Sequence, residues 1–172
     1  VTGSGGMLMG SVAKIGSALQ DRNDLKVGDR IASLVSLSLT PLHIDEILAV
    51  HPDTDRVDIK GQAILFESGI YAKLPDDMPE ALALAALDVA GAPAQTANIV
   101  KPGDSVLILG AGGKSGMLCG YEAMKRVGPC GNVVGMSRNN RPEKTLLDNH
   151  FVHKFFVADA AKPVEVLERA LE

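Results

Sequence analysis

The period of apolar positions changes partway along the chain. Before about residue 75, apolar residues come in short runs separated by turn residues: 7–15 around Gly10, 31–35, 44–50, 56–59, and 63–67 beyond an interruption at Gly61. Gly16 closes the first run, and Gly10 inside it reads as a bulge or a close contact. Turns are expected at 25–30 and at His51-Pro52-Asp53-Thr54-Asp55, residues 71–75 lead out, and residues 36–42 are apolar without a period. Short strands at this spacing predict a small β-barrel or sandwich. At Asp76-Asp77-Met78-Pro79-Glu80 the pattern turns helical: an acidic first turn with Pro79 at the first helical position opens an alanine- and leucine-rich helix to about Val89. The expected domains are therefore 1–78 and 79–172.

The second region is organised around residues 104–135. Residues 106–109 form a continuous aliphatic run, too short for a helix, as in a strand covered on both faces. Lys101-Pro102-Gly103-Asp104 is the tight turn that delivers it. Glycines begin where the strand should end. Met117, Leu118, Tyr121, Met124 and Val127 then recur at helical spacing, Gly128-Pro129 stops the helix, and 132–136 supplies a second strand. This is the size of one βαβ unit. A helix at 142–150, a strand at 152–157 and a helix at 164–171 follow. The fold class is thus α/β: the first half of a Rossmann-like, doubly wound parallel sheet preceded by a small β-barrel or sandwich. The half that would cradle a nicotinamide is not within these 172 residues, so this piece alone is expected to bind cofactor weakly and to turn nothing over.

Gly110-x-Gly112, with Ser115 where a third glycine is usual and Gly116 one place later, approximates the dinucleotide fingerprint. Small residues suit a turn where a diphosphate approaches N–H groups at a helix start. Gly110, Gly112, Gly113, Lys114, Ser115 and Gly116 are the candidate cofactor residues, with a bland glycine turn as the alternative. Gly113-Lys114-Ser115 also hints at a triphosphatase loop, but that motif needs glycine where Ile108 stands. At the end of the second strand comes Met136-Ser137-Arg138-Asn139, with no acid to receive a ribose 2′-OH. Ser137 and Arg138 therefore suit a 2′-phosphate and NADP, unless Arg138 is an ordinary exposed arginine.

Composition adds exclusions. A net charge of −4 and 3% aromatic residues give no case for nucleic acid, and no apolar run approaches a bilayer span of about 20 residues. The start carries no charged-then-apolar leader, so a cytoplasmic protein is expected; Val1 in place of methionine reads as the loss of an upstream segment. Cys119 and Cys130 cannot make a tetrahedral metal site by themselves. Cys119 falls among the packed positions of its helix.

Residues 5–16 (Gly-Gly-Met-Leu-Met-Gly-Ser-Val-Ala-Lys-Ile-Gly), 26–31 (Lys-Val-Gly-Asp-Arg-Ile), 73–76 (Lys-Leu-Pro-Asp) and 101–113 resemble the medium-chain dehydrogenase superfamily. The resemblance implies part of a GroES-like barrel ahead of a Rossmann domain. Zinc-dependent members have His-Glu where this chain has Gly6-Met7, and a cysteine-rich lobe where it has residues 36–42 without cysteine. No zinc is carried over.

Within the superfamily, residues 1–8, 38–42, 87–96 and 110–117 resemble the L-erythro-3,5-diaminohexanoate dehydrogenase family of lysine fermentation. That resemblance implies oxidation of an amine-bearing carbon, release of ammonia, and 5-amino-3-oxohexanoate as product. The family's usual acceptor is NAD, against the reading of Arg138, so NAD and NADP both stay open. A small amino-acid substrate and a homodimer are expected. Amine oxidation needs a base rather than a Lewis acid, since the free lone pair assists hydride departure. Asp88, in an otherwise apolar helix, is a candidate for that base or for holding the substrate ammonium; it equally suits a cap or surface position. His43, beside Asp45 and Glu46, is a second candidate, or a solvated loop histidine. The rival readings are a zinc-independent NADPH-dependent quinone or enone reductase and a nucleotide-binding module without catalysis.

Overall fold

The computed structural model describes residues 6–20, 24–35 and 39–171. The chain divides into two compact units, Val1–Asp88 and Val89–Glu172.

In the first unit β1 (Leu8–Ser11), β2 (Arg30–Ser33) and β5 (Tyr71–Lys73) form an antiparallel sheet in the order β1-β2-β5. The run 7–15 holds a strand only to Ser11, and Gly10 pairs with Ile31 in unbroken register rather than at a bulge. Two further bonds, Val12 N–H to Asp29 O and Gly28 N–H to Val12 O, take the chain out of the ladder instead. The turn at 25–30 is as expected: Gly28 takes φ +97°, and the Asp29 carboxylate accepts the Lys26 N–H at 2.9 Å. Residues 71–75, read as a lead-out, contain β5, whose partner is a strand distant in sequence.

A hairpin of β3 (Leu42–His51) and β4 (Arg56–Ala63) makes a separate two-stranded sheet. Here Gly61 does not interrupt the strand. A Cβ at Gly61 would run into the carbonyl oxygen of His43 across the ladder, so glycine permits a close strand approach beside the register shift between Ile44 and Glu46. The strand expected at 63–67 is absent because β4 itself runs through to Ala63, after which Ile64 N–H bonds Pro41 O and the chain leaves the hairpin. Asp55, at φ 51°, closes the turn after a short 3-10 segment at Pro52–Thr54.

α1 (Glu80–Leu87) begins as the acidic, proline-led start predicts, with Pro79 as the N-cap rather than the first helical residue. Its Ala83 packs with Ala32 and Leu74, flanked by Met7, Met9, Leu84 and Leu87. This helix thus shares the core of the antiparallel strands. Nearby, the Lys73 ammonium lies 3.0 Å from Asp29, and the Tyr71 hydroxyl donates to Asp24. Asp29 is held below the usual carboxylate range by the Lys26 N–H and by Lys73, and Asp24 chiefly by Tyr71. Hydrogen bonding to Asp29 raises Lys73, and bonding to Asp24 raises the Tyr71 phenol.

The second unit opens on α2 (Gly91–Ile99), which the sequence reading missed. Gly91 and Pro93 look like helix breakers, but both fall in the first turn, where a missing N–H costs nothing. Then come β6 (Ser105–Leu109), α3 (Lys114–Val127), β7 (Asn132–Ser137), α4 (Glu143–Asp148), β8 (Lys154–Val157) and α5 (Pro163–Leu171). The three strands are parallel in the order β6-β7-β8. Successive β7 side chains enter opposite cores, as the pleat requires. Val133 joins Ile108, Ala111, Ala123, Val127, Leu146 and Val152; Val134 and Met136 join Phe156, Ala158 and Val166. Coverage on both faces thus holds for the middle strand β7. β6, expected to be covered on both faces, lies at the sheet edge, with Ile108 buried but Leu107 and Leu109 exposed.

Candidate functional site

The site is built where β6 gives way to α3. Gly110 adopts φ +75°, a conformation that costs a residue with a Cβ about 1–2 kcal/mol, and so turns the chain out of the strand. Its N–H and that of Ala111 both donate to Met136 O at 2.9 Å, and Gly113 N–H returns to Gly110 O at 3.0 Å. Gly113 is the N-cap of α3, and no side chain caps this helix start. The first N–H groups of any helix lack intrahelical acceptors, and the peptide dipoles add partial positive charge there. A diphosphate suits that end chemically.

The glycines serve different ends. Gly116 is buried, and a Cβ on it would lie 2.7 Å from Ala111 Cα and also strike Gly110 O. It therefore supplies the tight helix-to-strand packing that the third fingerprint glycine usually provides, one place later than the motif spacing. Ser115 is left half-buried, while Gly113 and Lys114 are exposed. Gly112 faces Pro142: a Cβ there would lie 2.5 Å from that ring's Cγ. Gly120 allows α3 to pass close to Phe151 O, where a Cβ would stand at 2.6 Å.

Leu109 pairs with Met136 in register, so Gly110 and Ser137 leave adjacent parallel strands at their carboxyl ends. Open α/β sheets bind ligands at this edge. The peptide that anchors the glycine turn, through Met136 O, leads directly into half-buried Ser137 and exposed Arg138. Beyond them Asn139 Oδ1 accepts the Arg141 N–H at 3.1 Å, and Glu143 N–H bonds Asn140 O. The fold thus gathers Gly110, Gly112, Gly113, Lys114, Ser115, Gly116, Ser137 and Arg138 at one end of one sheet.

The other two candidates are carried by the first unit. His43 lies on β3 with its side chain 78% exposed and its Nε2 3.3 Å from Asp45 Oδ1. Asp88 is exposed at the C-cap of α1, where its N–H bonds Leu84 O. Sequence reasoning missed Pro142. The Asn-Asn-Arg-Pro stretch signals a turn, but nothing in it announces contact with a glycine of the turn between β6 and α3. Among the described residues no group of three His, Cys, Asp or Glu side chains could hold a metal ion, and no helix is long and apolar enough to cross a membrane.

This architecture recurs in known proteins. The family described as L-erythro-3,5-diaminohexanoate dehydrogenase N-terminal domain matches residues 1–75. The chain is 69% identical over 171 residues to L-erythro-3,5-diaminohexanoate dehydrogenase of Acetoanaerobium sticklandii, covering 99% of this chain and 50% of that one. By sequence, the chain is a relative of the L-erythro-3,5-diaminohexanoate dehydrogenases. The enzyme of that name from Fusobacterium nucleatum is 65% identical over 172 residues, covering 100% of this chain and 50% of its own. The chain therefore spans about half the length of the curated relatives it matches. Among solved structures, Escherichia coli quinone oxidoreductase complexed with NADPH superposes with a TM-score of 0.55 at 16% identity, covering 94% of this chain and 44% of that one. That likeness shows the fold: a medium-chain dehydrogenase architecture, with antiparallel strands consistent with a partial GroES-like domain ahead of the parallel sheet.

Proposed function

We propose that this chain carries the first half of the nucleotide-binding domain, and part of the GroES-like domain, of a zinc-independent L-erythro-3,5-diaminohexanoate dehydrogenase. The sequence pattern puts the domains at 1–78 and 79–172; because α1 shares the core of the antiparallel strands, we place the boundary after it, near Asp88. The reading is carried by 69% identity to an enzyme of that name along the whole chain. A glycine turn and uncapped helix start at the carboxyl edge of a parallel sheet supply matching chemistry.

NAD or NADP is the acceptor, supported by the dehydrogenase relatives and by the NADPH of the quinone oxidoreductase that shares the fold. Gly110, Gly112, Gly113, Lys114, Ser115 and Gly116 would face the diphosphate, and Ser137 and Arg138 the ribose 2′ position. When bound, the nicotinamide accepts the hydride. The chain's part in the chemistry is to take a proton from the substrate's C3 ammonium, so that the nitrogen lone pair drives hydride departure. Asp88 and His43 are the proposed candidates for that base, or for holding the ammonium. Water then replaces the nitrogen, which leaves as ammonia, giving 5-amino-3-oxohexanoate. The whole enzyme is proposed to be a homodimer acting on a small amino-acid substrate in the cytoplasm, within lysine fermentation.

The test is to give the whole enzyme, of which this chain is proposed to be a part, L-erythro-3,5-diaminohexanoate with NAD or NADP, then measure ammonia and reduced cofactor together. Equal amounts of the two are expected. Reduction of a quinone or enone with no amine oxidation overturns the reading.

A further inference from the structure

We infer that Gly112 is a glycine in order to seat Pro142, and that Pro142 is a positioning residue that sets the 138–141 loop against the glycine turn. This rests on the nucleotide-binding reading above, and it assigns the middle glycine a task other than admitting a diphosphate.

The geometry is specific. A Cβ on Gly112 would stand 2.5 Å from Pro142 Cγ and 2.6 Å from Pro142 Cβ, distances at which something must shift. A proline ring has no flexible far end to swing aside, because it is closed onto its own backbone. Gly113, by contrast, has only Gly110 O at 3.5 Å, an ordinary contact. Gly112 has φ outside the left-handed region and needs no special backbone freedom. Its lack of a side chain is therefore accounted for by the ring, with no ligand required.

Pro142 is itself held from behind. Its carbonyl accepts the Leu146 N–H at 2.9 Å, and Leu146 is fully buried in the core beneath β6 and β7. Ahead of it, the Asn139 Oδ1 bond to Arg141 N–H and the Glu143 N–H bond to Asn140 O close a compact turn. The ring against Gly112 thus joins two segments that would face different parts of a dinucleotide: the turn at 110–113 and the loop that begins at Arg138. Moving the ring moves the loop.

Three variants of the full chain test this, with ADP affinity reporting on the turn. The ratio of affinities for adenosine 2′,5′-bisphosphate and AMP reports on the loop. Gly112→Ala should weaken ADP binding about tenfold or more, since ring and turn cannot both stay in place. Gly112→Ala combined with Pro142→Gly should recover ADP binding to within about threefold of wild type, because the obstructing atoms are gone. Pro142→Gly alone, which keeps a residue acceptable at an N-cap, should leave ADP binding nearly unchanged yet shift the bisphosphate-to-AMP ratio by about tenfold. A double variant no better than Gly112→Ala would mean that the added methyl obstructs the ligand directly, and would overturn the inference. So would an unchanged ratio in Pro142→Gly. A wild-type protein that binds none of these nucleotides is a different result, which defeats the nucleotide-binding reading itself.

Discussion

β7 and β3 are both rich in branched aliphatic residues, and the fold treats them oppositely. In β7 the four residues Val133, Val134, Gly135 and Met136 are buried, whereas not one residue of β3 is. β3 also carries Asp45 and Glu46 where β7 has no charge, but what decides the fate of the aliphatic side chains in each is layering. β7 is the middle strand of a parallel sheet, and each face of it meets a packed cluster. Gly135 completes the fit, with Ala111 Cβ and Val152 Cγ1 each 3.0 Å from where its own Cβ would be. β3 pairs with β4 in a two-stranded sheet, and Ile47, Leu48 and Val50 stay exposed. That hairpin is organised by its ladder and by a polar group at its tip, where Asp58 meets His51 at 2.9 Å and Arg56 at 3.1 Å. A parallel strand is tied to its place by burial, and a hairpin strand by local register.

The comparison would break first at Leu146, which is fully buried against the β6–β7 layer. Leu146→Ala should cost about 3 kcal/mol, read from the denaturation midpoint of the full chain. Gly116→Ala comes next. Its Cβ meets backbone rather than a yielding side chain, so a loss of about 2 kcal/mol is expected, with weaker ADP binding measured by calorimetry.

In the first unit, Asp29→Asn should have a smaller effect that depends on pH. Asp29 is ionised more readily in the folded chain than in the unfolded one, so its contribution is present above the ordinary carboxylate pKa and is lost as pH falls through the depressed value. Lys73 is raised, and its contribution holds through neutral pH and disappears only as alkali removes its proton. The stability gap between wild type and Asp29→Asn should therefore close as the solution is acidified; a gap constant down to strongly acid pH would contradict this pairing. Smallest of all, Ile47→Ala on β3 should stay within about 0.5 kcal/mol, since the side chain is 60% exposed. If Ile47→Ala proved as costly as Leu146→Ala, the contrast between the two strands would be lost.

Much of the second unit was legible before any coordinates, because its signals are local. An aliphatic run that ends in glycine, a helix-period pattern and a second run place β6, α3 and β7 to within a residue or two. The same stretches placed Gly110 to Gly116 and Ser137-Arg138 at strand ends. What escaped were features whose cause lies elsewhere in the chain. β5 forms because β2 offers its edge, and β4 continues through Gly61 because a carbonyl of β3 comes close there. α2 survives its proline because the residue falls in the first turn.

The order of residues was enough to determine the kind of architecture, a glycine turn between strand and helix, and kinship with the L-erythro-3,5-diaminohexanoate dehydrogenases, since each is written in short-range pattern or in matched motifs. Only the tertiary structure decided which glycine does what. Gly116, and not Ser115, closes the helix onto the turn that follows β6, and Gly112 faces a proline from the next crossover. The physical reason is that a missing side chain leaves no trace in sequence of what fills its place; that is set by whichever distant backbone or ring the packing brings there.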